Sequence, residues 1–333
     1  MSPLTIVFFG SGPFALPSLE RLLQLGGQRS DVHVAEIVTR PDRPAGRGRS
    51  LCPTPVRERA KKLGVEALTP ESANDPLFLQ SMAQHAPDLF IVADYGEFLR
   101  KQFRDLPRIG SFNLHGSLLP KHRGAAPVAY AIANGDTVTG VTFFRIEKEL
   151  DSGPIVDTVE LAIRANDTAG ELEDRLAEAA ADLLERAIEQ FVGGTFTESP
   201  QDHSVASLAP KLTKAQGQVG WGASADAIHN LVRAMTPWPG AYSFLRHRTD
   251  EREERVRLHE VAVLGPESPE GSSPGTVLEV TDDAIVVACG SGRLAVLRLQ
   301  RPGKQRLPVS AFVRGFPVAP GDFFTTKPAG SGN

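Results

Sequence analysis

The sequence predicts a doubly wound α/β domain followed by a small β-barrel domain, and three observations carry that reading. Residues 5–9 form an unbroken β-forming run, followed by Gly10-Ser11-Gly12-Pro13 and by Leu16, Leu19, Leu22 and Leu23 at helical spacing. That is a buried strand feeding a helix, the first βα unit of a layered sheet. Residues 86–93 repeat the theme as a turn entering a core strand. From Val256 onward the pattern changes: short β-forming runs at residues 275–278, 284–288 and 294–299 are separated by turn residues, the spacing of a small barrel. At 333 residues the chain is long enough for each domain to bury a core of its own.

Taken in order, Gly10-Ser11-Gly12 after a strand invites a dinucleotide-binding reading. Ala15 stands at the third fingerprint position, however, and the second strand, residues 32–38, ends in Thr39-Arg40 rather than in an acid. A nicotinamide cofactor is therefore rejected. Residues 40–49 then read as a loop stiffened by proline, loosened by glycine and rich in arginine, the side chain suited to bidentate phosphate contacts and base stacking. Residues 54–63 read as a basic helix, and Asp94-Tyr95-Gly96-Glu97-Phe98-Leu99 follows the end of the core strand.

Residues 111–151 organise the rest. Ser111-Phe112-Asn113-Leu114-His115 alternates in polarity, so Asn113 and His115 project from one face of a strand. Gly116 and Pro120 end that strand, which puts the pair at its carboxyl end, where open α/β sheets bind ligands. A helix over residues 125–133 and the turn Asn134-Gly135-Asp136 lead to a β-branched and aromatic strand, residues 138–146, which delivers Asp151. An amide, an imidazole and a carboxylate together suit acyl transfer to an amine: a donor for a developing oxyanion, a titratable base, and a group to hold that base. Any one of the three alone is more often an ordinary strand-end or turn residue.

Leu172, Leu176, Ala180, Leu183, Leu184, Ala187, Ile188 and Phe191 share one face of a helix beginning near Ala169. That stripe packs against a core and closes the first domain. The polar stretch 193–210 reads as a linker, and Trp238, set between Pro237 and Pro239, reads as a wedge in a core.

The net charge is −4, but residues 40–62 hold eight Arg and Lys against Asp42 and Glu58, and residues 290–321 hold six with no acid. Each segment carries +6 and the remainder −16, so two basic patches on an acidic body can form a phosphate-binding track that the total hides. Cys52 and Cys289 have no paired-ligand spacing, which points to neither a disulfide framework nor a zinc site and suits a reducing compartment. The opening residues lack a basic start with a long apolar core, so a cytoplasmic protein is expected.

Asn113-x-His115-Gly116-Ser117-Leu118-Leu119-Pro120, Arg123-Gly124-Ala125-Ala126-Pro127, Gly140-Val141-Thr142 and Leu150-Asp151-Ser152-Gly153 together resemble the folate-dependent formyltransferases, and nearly the whole chain is covered. The resemblance implies a Rossmann-like formyltransferase domain over residues 1–192, a linker over 193–210 and an OB-like, tRNA-binding barrel over 211–330. It implies catalytic roles for Asn113, His115 and Asp151, with Asn113 and His115 donating to the formyl oxygen and Asp151 orienting His115. Ser117, Leu118, Leu119, Pro120, Tyr95, Phe98 and Leu99 become candidate contacts for the formyl donor, 10-formyltetrahydrofolate, with no metal required.

The segment Pro41-Asp42-Arg43-Pro44-Ala45-Gly46-Arg47-Gly48 is similar to one that, in family members acting on methionyl-tRNA, inserts against the tRNA acceptor end. By that likeness Arg43 is the leading tRNA contact, with Arg47 and Arg49 behind it, and Arg298, Arg301, Lys304 and Arg306 face the acceptor stem from the barrel. The implied partner is initiator methionyl-tRNA, and the implied protein a monomer. The sequence departs from the family pattern at Gly10-Ser11-Gly12, at Asp94, Glu97 and Arg100, and at Gly220 before Trp221. Rival expectations are a formyltransferase for a nucleotide-linked amino sugar, a folate hydrolase releasing formate, and a non-catalytic RNA-binding module.

Overall fold

The computed structural model describes residues 2–45, 50–248, 253–265 and 271–326. The chain divides into two compact units: Met1–Pro127 with Val138–Ala162 and Leu172–Pro210, and Val128–Thr137 with Ile163–Glu171 and Lys211–Asn333.

The first unit is built as β1 (Leu4–Gly10), α1 (Leu16–Gln28), β2 (Val32–Val38), a hairpin of β3 (Arg43–Ala45) and β4 (Ser50–Cys52), α2 (Pro55–Lys62), α3 (Pro76–Ala83), β5 (Leu89–Ala93), the single turn α4 (Lys101–Arg104) and β6 (Gly110–His115). Past α5 (Pro127–Ala133), which apart from Pro127 belongs to the second unit, it continues with β7 (Val138–Arg145), β8 (Ile155–Ala162) and α6 (Ala169–Gly193), whose first turn is likewise counted with the second. Local chemistry sets the helix starts. Thr54 caps α2 by accepting from the Arg57 backbone N–H at 3.1 Å, and Asp75 caps α3 by accepting from Leu77 and Phe78. Arg59, Lys61 and Lys62 occupy the last turn of α2, where cations complement the helix dipole.

The sheet runs β2-β1-β5-β6-β7-β8. The first four strands pair in parallel, and β7 and β8 are antiparallel to their neighbours. The strand order reverses between β1 and β5, so the crevice at their carboxyl ends is a topological switch point. Period-2 alternation fills both faces. Val7 and Phe9 join Phe90, Tyr95 and Phe103 on one side, with Phe9 centred 4.8 Å from Phe103. On the other, Phe112 meets Phe143 and Phe191, the last from α6. The whole α6 stripe from Leu172 to Phe191 is buried.

Two segments differ from the sequence expectation. The arginine-rich loop is a β-hairpin in which Arg43 pairs with Cys52, its tip lying outside the described residues. Residues 193–210 pack back on the first unit: Ser199 pairs with Ile155 and Leu208 with Arg123. Their backbone groups find partners there instead of water, which a free linker cannot offer.

The second unit contains α7 (Ala225–Ala234), β9 (Ala241–Arg246), β10 (Glu253–Val263), β11 (Val277–Val280), β12 (Ile285–Ala288), β13 (Arg293–Gln300), β14 (Arg306–Pro308), α8 (Val309–Gly315) and β15 (Phe323–Thr325). The strands pair antiparallel in the order β11-β12-β13-β10-β9-β15, with β14 on β13. A bridge between Thr276 and Phe323 draws the two edges together, giving a near-closed barrel. Alternate residues of β9, namely Ala241, Ser243 and Leu245, face the interior. Buried Trp221 packs at a tilt against Phe324 and donates its indole N–H to the Ser243 hydroxyl at 2.9 Å. Trp238, expected to be a wedge, is instead 50% exposed.

Candidate active site

On β6, Phe112 and Leu114 go into the core, while Asn113 and His115 occupy the other face. His115 is buried, and its Nε2 lies 2.9 Å from the carbonyl oxygen of His122. A carbonyl can only accept, so Nε2 carries the hydrogen. The other nitrogen, Nδ1, faces Asp151 Oδ2 at 3.8 Å, beyond hydrogen-bond range for a neutral ring but close enough to pair with a protonated one. The orienting group of His115 is therefore the His122 carbonyl, a role the sequence reading assigned to Asp151. With Nε2–H committed there, His115 is not free in this arrangement to donate from that nitrogen beside Asn113. The Asn113 amide is half-buried and has no side-chain hydrogen-bond partner among the described residues.

The route by which Asp151 reaches His115 is indirect. Because β7 is antiparallel to β6, its carboxyl end lies level with Phe112, and Thr142 is the register partner of His115. The β7–β8 loop brings Asp151 back, in a left-handed conformation with φ +48°. Its Oδ2 accepts from the Gly124 backbone N–H at 2.8 Å. Gly124 can only be glycine: φ is +128°, and a Cβ there would sit 2.5 Å from the Ala209 carbonyl oxygen. Gln201 Nε2 donates to the carbonyls of Asp151 and Gly153 at 3.0 and 2.7 Å. Neither Gln201 nor the His122 carbonyl carried a local sequence signal, since the first acts across about fifty residues and the second through backbone.

The candidate folate contacts divide. Leu118 and Pro120 are half-buried, and Phe98 is 62% exposed, so these three offer apolar surface. Ser117 is fully buried with its hydroxyl donated to the Lys121 carbonyl, and Thr142 Oγ1 donates to the Ser117 carbonyl while accepting from Leu119 N–H. Ser117 and Leu119, itself buried, thus brace the loop and present little side chain to a ligand. Tyr95 and Leu99 turn into the core beside Phe9 and Phe103, contrary to the expectation that they line a pocket, because each completes that aromatic cluster. Burial raises the Tyr95 hydroxyl above its ordinary pKa, with the Glu97 charge adding to the rise.

The two acidic departures have different surroundings. Glu97 accepts from the Ser72 hydroxyl, the Ala73 N–H at 3.1 Å, the Asn74 amide at 3.0 Å and Arg40 at 2.6 Å. Burial alone would raise its pKa, but these hydrogen bonds and the Arg40 charge overrule burial and hold it low. Asn74 also accepts from Arg100 N–H and donates to the Phe98 carbonyl, so Glu97 anchors the whole 97–100 turn. Asp94 has no such partners. It follows β5 with φ +44°, its carbonyl accepts from Ser11 and Gly12 N–H, and its carboxylate lies over the Gly12 α-carbon, where a Cβ would meet Oδ2 at 1.6 Å. Surrounding protein desolvates it, Glu173 adds a like charge, and its pKa is pushed up to about 6. The residue still touches solvent at the crevice, which screens this cost relative to a sealed carboxyl.

Of the basic candidates, Arg43 is exposed, while Arg47 and Arg49 lie outside the described residues. Arg40, first in the basic segment, is committed to Glu97 and lies 5.9 Å from the Tyr95 ring centre. On the barrel, Arg298 pairs with Glu260 and Arg301 with Glu254, the latter over the Phe316 ring. Lys304 and Arg306 are exposed with no ion pair among the described residues. Among the described residues no group of three or more His, Cys, Asp or Glu is placed to hold a metal ion, and no helix is long and apolar enough to cross a membrane.

Comparison with known proteins places this site in context. Residues 4–188 match the family model for formyl transferase, and residues 211–317 the model for the formyl transferase C-terminal domain. The chain is 38% identical over 319 residues to the methionyl-tRNA formyltransferase of Acetivibrio thermocellus, covering 96% of this chain and 99% of that protein. It is 36% identical to that of Geobacter sulfurreducens, covering 96% of each. Among solved structures, an N-formyltransferase from Helicobacter canadensis in complex with folinic acid and dTDP-3-aminofucose aligns with a TM-score of 0.61 at 17% identity, over 90% of this chain and 99% of that one. HypX from Aquifex aeolicus in complex with tetrahydrofolic acid aligns at 0.57 and 18%, over 97% of this chain and 50% of that one. At those identities the structures speak to fold alone, but the family models and the full-length relatives decide the matter: the chain belongs to the formyl transferase family.

Proposed function

We propose that the chain transfers the formyl group of 10-formyltetrahydrofolate to the α-amino group of methionyl-initiator tRNA. The observation that carries this reading is the open Asn113 amide beside the His115–Asp151 pair, in a chain whose full-length relatives are named methionyl-tRNA formyltransferases. The folate supplies the formyl group. The residues fit such a donor: Phe98, Leu118 and Pro120 offer apolar surface to a ring system, and the Asn113 amide is free to donate to a carbonyl oxygen.

The α-amine of an aminoacyl ester has a pKa near or below about 8, so an appreciable fraction is neutral and nucleophilic near pH 7. Asn113 donates to the formyl oxygen as negative charge develops there. The amine's proton is taken at His115 Nδ1, and the resulting imidazolium then faces Asp151 Oδ2, which converts a neutral juxtaposition at 3.8 Å into an ion pair. As the tetrahedral intermediate collapses, the bond from the formyl carbon to N10 breaks and the proton held at Nδ1 passes to N10, so tetrahydrofolate leaves and His115 returns to its neutral form. The His122 carbonyl keeps the ring in the tautomer that leaves Nδ1 available. Arg43, with Arg47 and Arg49, and the barrel's Lys304 and Arg306 contact tRNA phosphates; Arg298 and Arg301 join them only by exchanging their carboxylate partners. The barrel, residues 211–330, acts as the tRNA-binding domain, and the protein works in the cytoplasm as a monomer.

The test is incubation with 10-formyltetrahydrofolate and either charged initiator tRNA or a nucleotide-linked amino sugar, scored for the formylated product. Formylmethionyl-tRNA alone is expected. Formylation of the sugar, formate release without an acceptor, or salt-sensitive tRNA binding with no product would each overturn the reading in favour of a named rival.

A further inference from the structure

We infer that Gln201 is a positioning residue for the Asp151 carboxylate, an inference that rests on the formyl-transfer reading above. Asp151 is held in a left-handed backbone conformation, one that Asp tolerates better than most side chains but that still gains from partners that fix it. Gln201 is such a partner. Its amide N–H groups reach the carbonyls on both sides of the turn, at Asp151 and Gly153, and no water-exposed surface competes, since Gln201 is only 6% exposed.

The other end of the same amide is tied to the second half of the site. Gln201 Oε1 accepts from Arg123 Nη2 at 2.6 Å, and the same guanidinium nitrogen reaches His203 Nδ1 at 2.9 Å. Arg123 stands between His122, whose carbonyl orients His115, and Gly124, whose N–H holds the Asp151 carboxylate. Its backbone is fixed in turn by Ser207 and Ala209, with Ala209 N–H donating to the Arg123 carbonyl at 2.7 Å. One buried amide thus couples the loop that carries Asp151 to the loop that grips both Asp151 and His115. A carboxylate released from this double hold drifts relative to Nδ1, and a misplacement of about 1 Å costs up to about 10²-fold in rate.

The test is a double-mutant cycle. Gln201→Leu keeps the side-chain bulk and removes donors and acceptor together. It is expected to lower kcat about 10-fold or more while leaving KM for both substrates within about threefold, and to change kcat less than about twofold when Asp151 is already Asn. An equal fold-loss on both backgrounds, or an unchanged kcat, overturns the inference, because a residue that only stabilises the fold acts independently of Asp151. If Gln201→Leu does not fold, Gln201→Glu retains the acceptor for Arg123 and sets an acceptor-only carboxylate oxygen against the Asp151 and Gly153 carbonyls, which repel it, and is run through the same cycle. A crystal structure of the folded variant reads the geometry without chemistry. Movement of the Asp151 carboxylate away from the Gly124 N–H by about 1 Å supports the inference; an unmoved carboxylate overturns it. An inactive wild-type chain would sink the formyl-transfer reading instead, with the crystallographic result still deciding the positioning role.

Discussion

The crevice floor and the turn that walls it treat their polar groups in opposite ways. On the floor, Asn113 and Asp94 stand at the carboxyl ends of adjacent strands with side chains that no described residue satisfies. In the wall, Glu97, three residues past Asp94, has four donors converging on one carboxylate. Both acids are departures from the family pattern and look equivalent in the sequence. The difference teaches that unspent hydrogen-bonding capacity, more than the presence of a polar residue, separates a group available to a ligand from one that holds the backbone.

The division can be broken in four ways, from the largest effect downward. Asn113→Ala should lower kcat about 10² to 10³-fold, or about 2.7–4 kcal/mol, with an unchanged melting temperature. A loss of stability instead would make the floor structural. Glu97→Leu should do the reverse in kind, lowering unfolding free energy by about 2–4 kcal/mol, because Arg40, Asn74 and Ser72 all lose a partner in a mostly buried site. Denaturant titration measures it. Glu97 is held below its ordinary pKa, so its contribution is present above about pH 4.5 and is lost as pH falls through the lower folded value; the gap to Glu97→Leu should close in acid.

Asp94 has the opposite sign. Between its unfolded value near 3.8 and its folded value of about 6 the native state binds more protons, so stability falls as pH rises through that window. Asp94→Asn should therefore raise the melting temperature at pH 7.5 and leave it unchanged at pH 3.5, modestly because the residue is exposed; no gain at pH 7.5 would mean the carboxylate has a partner in solution. The smallest effect is expected for Ser72→Ala, one hydrogen bond among four, at about 0.5–1.5 kcal/mol.

Much of the fold was legible because it rests on short-range periodicity. The α6 stripe, the basic helix starting near Thr54 and the shared face of Asn113 and His115 all follow from spacing along one element. What was not legible rests on partners distant in sequence. Tyr95 offers an aromatic ring and a hydroxyl, and only the packing of Phe9 and Phe103 decides that it points inward. Arg40 reads as one more phosphate ligand until Glu97 is found across 57 residues. The antiparallel course of β7, and hence the detour of Asp151, depends on strand pairing that alternation does not encode. Trp238 failed for a related reason: flanking prolines fix the chain's path but not what lies beside it.

The return of residues 193–210 across the first unit has a practical corollary for anyone excising the catalytic half. Ending a fragment at residue 192, in the last turn of α6 and just before composition turns polar, discards Gln201, Ser207 and Ala209 along with the linker-like residues around them. Such a fragment keeps every side chain proposed for chemistry and forfeits the brace beneath them, so its inactivity would say nothing about those side chains; the informative cut falls after Pro210.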